Sequence, residues 1–143
     1  MKETRGFSLL ELVIVVAIIL IIATIAVPTL LRSRQTANEA SAVSHLRLLN
    51  TAQVTFSSSH QGQYGSIPDL IAAALVDSRF GTPLAGYVMV LTMSGNNLDY
   101  TATATARGPN DGRFDYYTKP DYVIRYSTDV LRAPVGLTGE PVR

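Results

Sequence analysis

The feature that most constrains this chain is the uncharged stretch Leu12–Leu31, broken only by Thr24, Pro28 and Thr29. A helix rises about 1.5 Å per residue, so roughly 20 residues cross a hydrocarbon core of about 30 Å. The stretch meets that length, and Arg32 and Arg34 close it with charge. Glu11 stands at its mouth, directly after Gly6-Phe7-Ser8-Leu9-Leu10. A carboxylate beside a membrane-length helix is costly without a partner, which makes it a candidate functional group.

A cleaved secretory signal is the competing reading. Such signals have a shorter apolar core followed by a small-residue cut site. Here the only later candidate, Ala40-Ser41-Ala42, lies beyond two arginines and Glu39. A retained, membrane-inserted helix fits better. Its orientation is not set by charge, because Lys2 and Arg5 balance Arg32 and Arg34. Pro28 removes a backbone donor and should kink or loosen the helix. It reads as an ordinary transmembrane proline or as a place where the helix bends when it packs with copies of itself.

Composition narrows the rest. With 143 residues and a net charge of +1, the chain is one domain plus the apolar segment. There is no basic stripe and no electrostatic case for nucleic-acid binding. The absence of cysteine excludes a disulfide framework and a cysteine-based zinc site.

The N-terminal residues resemble a known family. Gly6-Phe7-Ser8-Leu9-Leu10-Glu11, after a short leader with Lys2 and Arg5, is similar to the class III signal of type IV pilins and pseudopilins. The resemblance is specific from about Gly6 to Leu31. It implies that a membrane prepilin peptidase cuts between Gly6 and Phe7 and N-methylates Phe7. It also implies that Glu11 is the family's assembly glutamate and Pro28 its helix-breaking proline. Ser8-x-x-Glu11 equally fits a helix capping box, a role compatible with assembly.

The function implied is that of a structural subunit, not an enzyme. The subunit inserts in the inner membrane as a precursor and then assembles through its N-terminal helix into a pilus on the cell surface. Adhesion, twitching motility or DNA uptake would be the roles of such a filament. The implied partners are other copies of the chain, the prepilin peptidase, an assembly platform and motor ATPases. No cofactor or metal is implied. One alternative is a pseudopilin of a type II secretion system, forming a periplasmic filament. Another is a monomeric membrane-anchored binding domain.

The remainder predicts an α+β chain of pilin-like fold. The long helix continues to about Ser57, for roughly 75 Å from Phe7. Ala42, Leu46, Leu49, Ala52 and Phe56 share one face, with Arg47, Asn50 and Gln53 outside it or at its margin. The expected organisation is leader 1–6, core half of the helix 7–31, amphipathic half 32–57, connecting region 58–86, and sheet and tail 87–143. A short helix is expected over 68–75 and a turn-rich link over 80–86. About four antiparallel strands are expected, at 87–93, 98–106, 113–118 and 122–127. Tyr122, Ile124 and Tyr126 are expected on one face of the last. The tail 133–143 is expected to be loosely ordered.

Three other features read as structural. His45 and His60 lack a matching carboxylate pattern for a metal or catalytic site. Asn110–Asp115 holds oxygen ligands but lacks the acidic spacing of an EF-hand, and reads as a turn. The seven tyrosines and four phenylalanines read as core and edge packing rather than as adhesion or electron-transfer groups.

Overall fold

A computed structural model of the chain describes residues 7–126 and 139–142. The expected cleavage residue Gly6, Ser127 and most of the expected loose tail lie outside these residues. Helix α1 spans Leu9–Ser59 and continues through Pro28. The chain divides into two compact units, 1–33 and 34–143.

In the second unit, α1 lays Ala42, Val43, Leu46, Leu49 and Ala52 into a core shared with the sheet. Helix α2 (Ile67–Ala72) follows, then a 3-10 helix at Ser78–Gly81. Strands β1 (Tyr87–Met93), β2 (Tyr100–Ala106), β3 (Tyr116–Thr118), β4 (Arg125–Tyr126) and β5 (Glu140–Pro141) form an antiparallel sheet in sequential order. Along β2, Ala102, Ala104 and Ala106 are buried while the threonines between them are more exposed. These alanines belong to the core that the sheet shares with α1.

Several expectations change. Helix α1 starts at Leu9 because Ser8 caps it, and it runs to Ser59. Helix α2 is shorter than the 68–75 expected. Ser66 and Asp69 form a reciprocal capping box at its start, and Ala74 takes a left-handed φ of 55° just past its end. The 3-10 helix, begun by Asp77 accepting from the Arg79 amide, occupies part of the expected link. Strand β2 begins at Tyr100 rather than Leu98, because Asn97 adopts φ 56° in the turn. Tyr122 does not share a strand face with Ile124 and Tyr126. It has φ 61° and is exposed, so pairing begins only at Arg125. The tail is not wholly loose, since Glu140–Pro141 adds a fifth strand beside β4.

Candidate functional site

The described part of the first unit is an apolar helix. From Phe7, which is 80% exposed, to Leu31, its large aliphatic side chains are exposed on all sides. By length and composition α1 can cross a membrane. Its hydroxyl groups are satisfied locally. The Ser8 hydroxyl accepts from the Glu11 amide at 3.1 Å, so Ser8 is the N-cap and Glu11 lies in the first turn. Thr24, Thr29 and Ser33 donate to the Ile21, Ile25 and Thr29 carbonyls at 2.7, 3.0 and 3.0 Å. Hydroxyls turned onto the backbone in this way remain compatible with hydrocarbon. Pro28 has no N–H, so the Thr24 carbonyl lacks its usual helical donor. An open apolar groove of about 690 Å³ runs beside it, lined by residues from Ile22 to Ser33.

The second unit instead ties its part of α1 down with buried polar groups. Glu39 is buried and accepts from Arg113 three times: from the amide at 2.7 Å, Nε at 3.1 Å and Nη2 at 2.9 Å. The Glu39 hydrogen bond and charge hold the Arg113 guanidinium above its ordinary pKa. Asn50 accepts from the Tyr100 hydroxyl at 2.9 Å and donates to Thr118 Oγ1 at 3.1 Å. Gln53 is fully buried. It donates to the Gly65 carbonyl at 2.6 Å and accepts from the Gly65 amide at 3.0 Å, replacing a missing backbone pairing.

Asn50 and Gln53 were expected at the margin of the buried face, and the structure buries both. The signal was present, because Leu46, Leu49, Asn50 and Gln53 follow the i, i+3, i+4, i+7 spacing of a single face. Gly112 completes the packing. A Cβ there would lie 1.9 Å from the Tyr87 hydroxyl, which donates to the Phe114 carbonyl at 2.7 Å. Burial pushes Tyr116 up to about 12 and raises Tyr100 as well.

The other candidate groups are engaged in packing. Asp115 accepts from the Ala106 amide at 2.8 Å, and Asp111 lies 3.8 Å from Arg34. His60 stacks on Phe56 with ring centroids 3.8 Å apart. Among the described residues, no group of three or more His, Cys, Asp or Glu side chains could hold a metal. The tyrosines form edge and tilted contacts such as Tyr64–Tyr100 and Tyr87–Tyr116.

Comparison with known proteins gives a family model that falls within the first unit and relatives that match over longer stretches. Residues 1–27 match the prokaryotic N-terminal methylation motif. The type IV major pilin protein PilA of Myxococcus xanthus is 46% identical over 54 residues, which is 38% of this chain and 24% of that protein. The type IV wide pilus major component PilA4 of Thermus thermophilus is 44% identical over 46 residues, or 32% of this chain and 35% of that protein. The chain thus spans between a quarter and about a third of the length of these relatives. No solved structure matches it significantly. The chain is thus similar to type IV major pilins over a part of its length that includes the methylation motif.

Proposed function

We propose that this chain is a structural subunit of a type IV pilus and has no catalytic role. Prepilin peptidase cuts between Gly6 and Phe7 and methylates the new amine. The precursor waits in the inner membrane with its leader in the cytoplasm. An assembly platform and motor ATPases then move the apolar helix from lipid into the filament interior. Both environments are apolar, so the exchange carries little hydrophobic loss.

The observation that carries this reading is the exposure of every large aliphatic side chain from Leu9 to Leu31. A helix with no core of its own needs lipid or other copies around it. That both relatives are pilus components favours a pilus over a secretion pseudopilus.

Glu11 has a specific part in this. On one subunit its carboxylate pairs with the Phe7 amine of the next, so only one axial register avoids burying two lone charges. Pro28 gives the helix a point at which to bend during packing. The test is Glu11→Ala in cells. Removing one partner of a buried pair costs about 3–5 kcal/mol. Sheared filament should fall to background while membrane-bound subunit stays at the wild-type level. Equal filament yields from variant and wild type would refute the assembly role of Glu11.

A further inference from the structure

Outside the apolar helix, one side chain is placed in a way the packing alone does not explain. His45 lies on the part of α1 that faces the core, and its ring meets Phe80 of the 3-10 helix edge-on, with centroids 5.5 Å apart. Phe80 is buried. The His45 Nδ1 atom is buried too and has no hydrogen-bond partner among the described residues. In the neutral ring this nitrogen can stay a bare acceptor, but in the imidazolium both ring nitrogens must donate. A proton on His45 would therefore create a buried N–H with no acceptor.

The charges around the site make protonation harder. The 3-10 helix supplies Arg79, whose positive charge opposes a second cation, and Arg79 is only partly balanced by Asp77 at 3.2 Å. On α2 the one carboxylate, Asp69, is turned onto Ser66. The ionisable groups of β1 and β2 are Tyr87 and Tyr100, which hydrogen-bond to the Phe114 carbonyl and to Asn50. On α1, Glu39 is held by Arg113, and Arg47 is exposed.

We propose that His45 is an acid-sensitive latch, holding the 3-10 helix Ser78–Gly81 against α1 while neutral and releasing it when protonated. Burial, and then Arg79, hold the His45 pKa below its ordinary value of 6.5 in the folded chain. Once the 3-10 helix is released, His45 on α1 is solvated and takes up the proton at the ordinary value. The latch is therefore fully closed above about pH 6.5, weakens as pH falls from there to the folded midpoint, and changes no further below it. The factor lost is tenfold for each pH unit separating the two midpoints.

The test uses the full chain in detergent micelles. NMR follows the His45 and His60 ring signals against pH, and amide exchange follows Phe80 and Thr82, whose N–H groups donate to Asp77 and Arg79. His45 should titrate below 6.5. Protection at Phe80 and Thr82, corrected for intrinsic rates, should fall over the same pH interval while Ala104 in β2 stays protected. In His45→Gln, protection at both amides should be independent of pH over that interval. A His45 midpoint at or above 6.5 would overturn the proposal, as would an unchanged pH step in His45→Gln. If His45→Gln fails to fold, the wild-type data still decide, because protection that does not follow the His45 titration overturns the latch.

Discussion

The same helix meets two different fates in the two units. Up to Ser33 its large aliphatic side chains are all exposed, and the Thr24, Thr29 and Ser33 hydroxyls turn back onto their own backbone. From Arg34 onward it buries an apolar face and uses Glu39, Asn50 and Gln53 to hold loops and strands. Helix breaking does not set the boundary between the halves, since Pro28 lies inside the first and α1 continues through it. The difference lies in what each half can recruit from its own chain. The second half carries its own core, whereas the large aliphatic side chains of the first half have none among the described residues.

The sharpest way to break this contrast is a charge in the first unit. Ile18→Lys puts an ammonium near the middle of the apolar stretch, at a cost of about 2.5–3.5 kcal/mol for insertion. Membrane-bound subunit and sheared filament should both be lost, while urea unfolding of the second unit in detergent stays unchanged. Leu46→Ala is the converse. It removes a side chain with no exposed surface from the second unit and should cost about 2–5 kcal/mol in urea unfolding. Membrane insertion should be unaffected. A loss of insertion in Leu46→Ala would erase the distinction between the units.

Gln53→Ala is a smaller probe within the second unit. It leaves both backbone groups of Gly65 without their partner and should destabilise by about 1–3 kcal/mol. Amide exchange at Gly65 should rise well before exchange in β2. The smallest expected effect is at alkaline pH. Tyr116 is pushed up to about 12 by burial, against an ordinary value near 10. Its contribution is complete below about pH 10 and is lost as pH rises toward 12. Tyr116→Phe should flatten part of that alkaline loss, and the first unit should show none of it.

What the sequence displayed follows from the range of the interactions involved. The long helix was legible because an uncharged run followed by an apolar stripe needs no distant partner to be recognised. Strand β1 was legible at both ends because its residues are uncharged and turn signals bound them. Strand β3 was overextended because Arg113 is drawn to Glu39 on α1, 74 residues away, and Asp115 turns onto the Ala106 amide. No local pattern carries either contact. Strand β5 is only two residues, including Pro141, and depends wholly on β4 being in place. Phe7, Glu11 and Pro28 stand in the sequence as a linear motif, whereas the spacing of Leu46, Leu49, Asn50 and Gln53 marks one buried face without showing which distant groups its polar side chains meet.

The central claim is that the apolar half of α1 is retained in the mature protein behind a new terminus at Phe7. Mass spectrometry of the N-terminal peptide from sheared filaments or purified membranes tests it directly. The account predicts a peptide that begins at Phe7 and carries one methyl group on its amine. A peptide beginning at Met1, or one beginning near Val43 after removal of the whole apolar stretch, would contradict it.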